Sequence, residues 1–314
     1  MDLKQLRALL AVAEHQSFSS AARALHTVQS NVSTHVSRLE REMGVTLIDR
    51  ATNTLTEEGQ VVAERARRIE AEFSALDSDV SSLRDEVRGR VRIGVIGTTA
   101  RWIVPLLLDA LAERHPAIAL VVLDATTSSL VPQLVGGQID LAIVNSPVVE
   151  PDVLIQALFE EELVVVAPLG HPLSGRDQIS LGDLAGHELL LEAQGTSFRE
   201  DIDAQAAQVG VELIAQAEFD GMRLLASLAF AGYGAAILPA SAAPVGAAGG
   251  EWTSTTITGA TRRSVGLARR RRGLPSAAER AVGDVIVEVV RVQAPLQPGI
   301  HLAERLSSTP TARN

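Results

Sequence analysis

The sequence predicts an α/β protein with a helical N-terminal head: three short amphipathic helices, one long helix with an unbroken heptad stripe, then strands alternating with helices almost to the end. A chain of 314 residues exceeds what a single core usually serves, which argues for two or more domains. Hydrophobic residues make up 46% and charged residues 21%, so the chain can fill sizeable cores and is not a disordered polymer.

Leu3, Leu6, Leu10 and Ala13 fall at helical spacing, making residues 2–14 a first helix with one buried stripe. Residues 18–25 form a short second helix in which Ala21 and Ala22 permit close approach of another helix, and 26–28 are the turn. From Gln29 a third helix is expected to bury Val32, Val36, Leu39 and Met43, leaving Gln29, Ser30, Asn31, Ser33, Thr34, Ser37, Arg38 and Arg41 on its other faces. Its first half is uncharged and rich in hydrogen-bonding groups; its second half is basic. That division suits a helix laid in the DNA major groove, with N-terminal side chains on base edges and arginines on phosphates. A solvated polar face is the competing explanation, and three consecutive helices of these lengths weigh against it.

Thr56 followed by Glu57 and Glu58 reads as a helix start, a capping hydroxyl with acids in the first turn. Val62, Ala66, Ile69, Phe73, Leu76, Val80, Leu83 and Val87 then alternate by four and three, the period of a coiled-coil seam. Ile69, Phe73, Leu76, Val80, Leu83 and Val87 are therefore the candidate dimer contacts. The alternative is a stripe packed on the chain's own C-terminal body.

After Gly89 strands are expected at 91–95, 118–123 and 140–144, with helices at 102–114 and 128–135, an alternation that reads as a parallel sheet covered by helices. A second such unit begins near residue 150, with strands at 163–167, 214–219 and 235–238 and helices at 198–209 and 222–231. Residues 242–262, rich in Ala, Gly and Thr, read as loosely ordered, and the proline and hydroxyl content from Pro295 onward as a frayed tail.

The head resembles the LysR-type transcriptional regulators in residues 18–25, the run Gln29 to Ser33, Leu39-Glu40, Met43-Gly44 through Leu47, Arg50, and Leu55-Thr56 through Gly59. In the body the likeness continues through Gly94, Pro105, Pro116, Gly136-Gly137 with Asp140, residues 168–173, Asp183-Leu184 and the stretch Gly232 to Pro239, so it covers about residues 2–292. The resemblance implies a winged helix-turn-helix with its recognition helix at 29–43 and its wing near 47–55, and a periplasmic-binding-protein-like effector domain. The implied divisions are 1–58 for DNA binding and 59–88 for the linker. The effector domain is then 89–294, with lobe I at about 89–146 and 268–294 and lobe II at 147–267, and 295–314 is the tail. The first crossing between lobes is expected near 144–147 and the return near 265–268. The implied partners are double-stranded DNA, a small-molecule effector, a second copy in a homodimer or homotetramer, and RNA polymerase.

Three departures stand out. Val28 occupies the usual helix-capping position, a loss of about 1 kcal/mol unless Thr27 or Ser30 replaces it. Ser30 stands for the usual proline and Ile48 for the usual phenylalanine. The stretch from Arg50 to Thr56 is short and has Asn53 where basic residues are common, so the wing should hold phosphate weakly. The DNA-binding candidates are accordingly Gln29, Ser30, Asn31, Ser33, Thr34, Ser37, Arg38 and Arg50.

Ligands in open parallel sheets sit beyond the carboxyl ends of strands, where helix N-termini offer free amides. The small polar groups expected there are Thr98, Thr99, Ser128, Ser129, Thr196 and Ser197, with Asn145 and Ser146 at the hinge, Phe219-Asp220 after another strand, and Arg101 placed for an anionic effector. Arg199 could serve likewise, and Trp102, Phe198, Phe219 and Tyr233 could wall the pocket. Each Ser or Thr alone is better explained as a helix cap, and Arg101 or Arg199 alone as a solvated surface group; the recurrence of the hydroxyls in both lobes is the reason to consider a ligand. Residues 269–272, four arginines, read as a solvated loop.

Absence of cysteine removes disulfides, thiolate metal sites and thiol redox switching. The seven histidines show no metal-ligand spacing, no Walker loop, His-Glu-x-x-His or Gly-x-Ser-x-Gly occurs, and neither catalytic residues nor a cofactor are expected. No apolar run reaches membrane-spanning length and the start lacks a signal-peptide pattern, so a cytoplasmic location is expected. A net charge of −10 excludes a chain that coats nucleic acid over its whole surface and leaves room for a local site. The reading that follows is an effector-responsive regulator. A cytosolic small-molecule-binding protein with impaired DNA binding, motivated by the wing and Val28, is the alternative, and an enzyme acting in the cleft is the third.

Overall fold

The computed structural model describes residues 1–83, 86–243 and 251–307. The chain divides into two compact units, Met1–Asp85 grouped with Gly136–Gln138, and Glu86–Val135 grouped with Ile139–Asn314.

The first unit comprises α1 (Leu3–His15), α2 (Phe18–Ala24), α3 (Gln29–Met43), the two-stranded wing β1 (Ile48–Asp49) and β2 (Thr54–Leu55), and α4 (Glu57–Ser82). Asp2 opens α1 with a capping box: its carboxylate accepts the Gln5 N–H at 2.9 Å, and the Gln5 side chain accepts the Asp2 N–H at 2.8 Å. Ser17 caps α2 and Thr56 caps α4, whereas no side chain caps α3 at Val28. Thr27 instead accepts the Asn31 side-chain amide at 3.0 Å. Leu6, Leu9, Val12, Phe18, Val32, Val36, Leu39, Leu47, Ile48 and Ala66 form the core. Met43, expected in that core, is 44% exposed, because α3 ends in the next residue, Gly44, at φ 72° and its last turn projects beyond the packed stripe.

The second unit holds two lobes. Its first stretch is β3 (Gly89–Val95), α5 (Gly97–Arg114), β4 (Ile118–Asp124), α6 (Thr127–Val135), β5 (Leu141–Ser146) and β6 (Val153–Glu161). The second lobe contains β7 (Leu163–Pro168), β8 (Ile179–Ser180), β9 (Glu188–Glu192), α7 (Ser197–Gln208), β10 (Ile214–Phe219), α8 (Met222–Phe230), β11 (Ala235–Pro239) and β12 (Trp252–Thr258). The chain returns through β13 (Arg263–Arg270), α9 (Ala277–Gln293), β14 (Ile300–Leu302) and α10 (Glu304–Ser307). The sheets run β14-β6-β13-β5-β3-β4 and β10-β9-β11-β7-β12-β8. Each has its own core, around Ile93, Ile103, Leu107, Ile143 and Phe159 in one lobe and Val165, Leu190, Ile202, Leu225 and Ile237 in the other.

Both sheets are mixed where parallel ones were expected. β13 brings the chain back from the second lobe, so it runs antiparallel to β5 and β6, while β3, β4 and β5 stay parallel. The lobe crossings also move: β6 pairs with β13 from Val153 to Arg270, so the chain leaves the first lobe after Glu161, not near 144–147, and re-enters between β12 and β13, not at 265–268. The apolar residues explain it, since Leu158 and Phe159 belong to the first core and Leu163 to Ala167 to the second.

Four further expectations are corrected. α4 ends at Ser82, so Leu83 is its C-cap and Val87 leaves the heptad seam to pack on the first-lobe core of the second unit. Within the stretch read as loose, 244–250 lie outside the described residues, but β12 pairs with β7 from Trp252 to Thr256 because its threonines suit a half-buried strand. The tail is ordered past Pro295: β14 pairs with β6 and Leu306 is buried, with 308–314 outside the described residues. The arginine run is no free loop either, since Arg270 donates to the Ile139 carbonyl at 2.9 Å and Arg271 to that of Pro151 at 2.7 Å.

Candidate functional site

In the first unit α3 presents a polar surface. Gln29, Ser30, Asn31, Thr34 and Arg38 are exposed, while Ser33 and Ser37 are half-buried on the flank. Two of the N-terminal groups are pre-oriented: the Ser19 hydroxyl donates to Gln29 Oε1 at 3.0 Å, and Thr27 holds Asn31. Arg50 is held in the wing, donating to Glu40 Oε2 at 2.9 Å and Ser37 Oγ at 3.2 Å with its guanidinium 4.7 Å from the Phe18 ring centre. Its charge is thus partly spent on Glu40. Glu40, absent from the sequence candidates, is the organiser here, because its other oxygen accepts the Leu47 and Ile48 N–H groups at 3.0 and 3.2 Å and anchors the wing to α3. An acid amid the basic half of the helix was the available signal.

The second unit has a cleft of about 480 Å³ between its lobes. It forms where the carboxyl ends of β3, β4 and β5 in one sheet face those of β9 and β10 in the other, so the N-termini of α5, α6, α7 and α8 all open onto it. Thr98, Asn145, Thr196, Ser197 and Asp220 line it as the sequence suggested. Thr99, Arg101, Ser128, Ser146 and Phe219 do not belong to the lining. Thr99 turns into the protein and is fully buried, Arg101 donates to the Ser241 carbonyl at 3.0 Å, and Phe219 packs on the second core. Of the suggested walls only Phe198 contributes; Trp102 packs edge-on against Phe159, and Tyr233 is 68% exposed. Arg199 is buried, held by Asp203 and Glu218, and does not face the cleft.

Ser129, also expected, lines it too, whereas sequence reasoning missed Asp124, Thr127, Glu192, Arg223 and Arg263, all in the lining. Arg263 opens β13 on the floor of the cleft. It donates through Nε to Glu161 Oε1 at 2.8 Å and through Nη2 to the same oxygen and to Thr98 Oγ1 at 3.0 Å. Glu161 is fully buried and also accepts the Ser241 N–H at 3.0 Å. Arg223 of α8 pairs with Asp124 of β4 across the mouth, directly over Gly97, where a Cβ would lie 2.7 Å from Arg223 Cγ. Glu192 ends β9 and is nearly buried; burial lifts its carboxyl above the ordinary range and the Asp220 charge adds to this, against the Thr196 hydroxyl, Arg263 and the Met222 N–H. Asn145 Oδ1 is buried without a hydrogen-bond partner among the described residues. Glu192 follows the run Leu189 to Leu191, so the strand-end rule reaches it once that run is recognised as a strand.

Two family models match, one described as a bacterial regulatory helix-turn-helix protein of the lysR family over residues 3–60 and one as a LysR substrate binding domain over residues 84–291. A probable hydrogen peroxide-inducible genes activator of Streptomyces viridosporus is 39% identical over 214 residues, 67% of this chain and 69% of that one. Its counterpart in Mycobacterium leprae is 32% identical over 92% of this chain and 94% of that one. Among solved structures, full-length CbnR in complex with its target DNA is 25% identical, covers 94% of this chain and 100% of that chain, and superposes with a TM-score of 0.67.

Proposed function

The chain belongs to the LysR family of DNA-binding transcriptional regulators, and from that premise we propose how its parts divide the work: α3 reads promoter DNA, α4 pairs two copies, and the cleft binds the effector. The observation that carries this reading is the polar, exposed and pre-oriented N-terminal half of α3, with Gln29 and Asn31 held by Ser19 and Thr27. The DNA complex of CbnR supports the same use of the first unit. Arg38 and Arg50 contribute phosphate contacts, Arg50 less than a free arginine because Glu40 shares its charge.

Ile69, Phe73, Leu76, Val80 and Leu83 are each 40% or more exposed along α4, a continuous apolar seam with nothing on it in the single chain. A second copy covers it, giving a homodimer, by itself or within a homotetramer, that sets two recognition helices on successive half-sites. RNA polymerase is the further partner of the promoter-bound form. No helix among the described residues is long and apolar enough to cross a membrane, in keeping with a cytoplasmic regulator. Two relatives are named for induction by hydrogen peroxide. This chain has no cysteine, so a thiol cannot register its signal, and the input falls to occupancy of the cleft.

A gel shift of the full chain on its own upstream DNA, at near-physiological salt with random DNA as competitor, tests the reading. A selective shift is expected, and Ser33→Ala should lose roughly tenfold on the operator while leaving random-sequence binding nearly unchanged. Equal losses on both DNAs would remove the base-reading role of α3. Ligand binding with no selective shift at all would favour a sensor with impaired DNA binding, which the uncapped α3 and the paired Arg50 would then explain.

A further inference from the structure

We infer that the effector of the cleft carries a protonated amine, and that its N–H donors are received by Glu192, Asp220 and Asn145 Oδ1. The inference rests on the cleft being the effector site and concerns what chemistry fills it.

The charges lining the cleft are Asp124, Glu192, Asp220, Arg223 and Arg263. Both cations already have carboxylate partners: Arg263 the buried Glu161, and Arg223, in a pair exposed to solvent, Asp124 across the mouth. Among the described residues no cation pairs with Glu192 or Asp220. The charges of the cleft without an ion-pair partner are therefore two carboxylates, both on the second-lobe wall, of which Glu192 accepts the Thr196 hydroxyl at 3.2 Å and feels the Arg263 charge. Asn145, at the end of β5 on the opposite wall, adds an acceptor: its Oδ1 is buried and has no donor among the described residues. The Arg263–Glu161 pair is also unavailable to an anionic ligand, since drawing Arg263 away would leave Glu161 buried and unpaired. An anion alone would thus meet two carboxylates and an amide oxygen with no free side-chain cation to answer it.

An ammonium supplies what these groups lack. It has three donors and a positive charge. Glu192 supports the same conclusion, since burial and Asp220 hold its carboxyl above the ordinary range. An amine placed there would favour the charged form. The uncapped N-terminus of α5, with no side-chain bond at Ile96, lies on the first-lobe wall beside Thr98. It suits the carboxylate of an amino acid, so amino acids should bind better than simple amines.

The test is thermal stabilisation of the full chain by the free L-amino acids and by putrescine, each beside its N-acetylated form. Deaminated carboxylates of matching size and shikimate complete the set. Stabilisation by at least one free amine is expected, with none by its acetylated partner. Glu192→Gln and Asp220→Asn should each weaken that ligand roughly tenfold or more, as measured by calorimetry, while circular dichroism shows both variants folded. The inference is overturned if no amine stabilises the protein, if the acetylated form binds equally well, or if only the deaminated acids bind. If acids bind and Thr196→Val or Asp220→Asn alters their affinity, the cleft remains the effector site and only the amine is wrong. If ligands bind and no cleft substitution alters their affinity, the effector-site reading itself fails.

Discussion

Gly59 shows how a single position in α4 ties the helix to the wing. A Cβ there would lie 2.0 Å from the Leu47 carbonyl oxygen, so the helix and the segment leading into β1 touch backbone to backbone. A helical Gly→Ala change ordinarily stabilises by up to about 1 kcal/mol, but here the overlap with fixed backbone dominates. Gly59→Ala is expected to destabilise the first unit by about 2 kcal/mol or more in urea unfolding. At Glu192 the sign of the effect follows from proton linkage. Burial raises its folded-state carboxyl, so between the ordinary value and the raised one the folded protein binds more protons than the unfolded chain. Its contribution is most favourable at low pH and is lost as pH rises through the raised value. Ligand-free Glu192→Gln should therefore melt higher than the parent protein at neutral pH, and the difference should shrink as pH falls toward the ordinary carboxylate range. A difference constant with pH would mean that Glu192 titrates normally.

α4 does two jobs along its length. Val62 and Ala66 pack into the core with α1 and α3, whereas the seam from Ile69 to Leu83 faces outward. The heptad repeat is continuous across this change, because burying one stripe serves a core and a partner helix equally well. Arg65, Arg68 and Glu72 flank the groove at Ile69, Phe73 and Leu76, giving it the mixed charge of a coiled-coil rim. Phe73→Glu, or Leu76→Glu, should turn a dimer into a monomer in analytical ultracentrifugation and reduce operator affinity severely, since each head would then bind a half-site alone. A variant still dimeric at micromolar concentration would place the interface elsewhere.

A buried ion pair sits at the junction between the two lobes of the second unit. Glu161 ends β6 as the chain leaves the first lobe and Arg263 opens β13 as it returns, so their bond closes the junction from both sides. Thr98 of α5 and the Ser241 N–H complete its hydrogen bonding. Breaking such a pair from one side costs more than removing both charges, because the remaining ion stays buried. Arg263→Ala should destabilise the unit by about 3–5 kcal/mol in denaturant unfolding, and the double change Glu161→Gln with Arg263→Met should recover much of that loss. A milder effect in the single variant than in the double one would show that water reaches the junction.

Local pattern was enough to place most elements. The apolar spacing at Leu3, Leu6 and Leu10, the start at Thr56 and the valine runs of β3 and β7 are written into neighbouring residues, and a periodic stripe betrays its helix or strand wherever it sits. The family likeness and the third helix's polar front were legible for the same reason. Strands β6 and β12 escaped notice because their apolar and polar residues do not alternate strictly, and only pairing with β13 and β7 makes them strands. The cleft was half legible. Thr98, Thr196 and Asp220 lie at strand ends that sequence could locate, while Arg263 reaches the floor from 165 positions beyond Thr98. Which arginines are free was settled by tertiary structure alone. Arg50, Arg199, Arg223 and Arg263 look alike as letters, and the carboxylates that claim them come from elsewhere in the chain, brought within reach only when the sheets and helices pack. Charge is a property of the residue, but whether it is available to a ligand depends on which opposite charge the fold sets beside it.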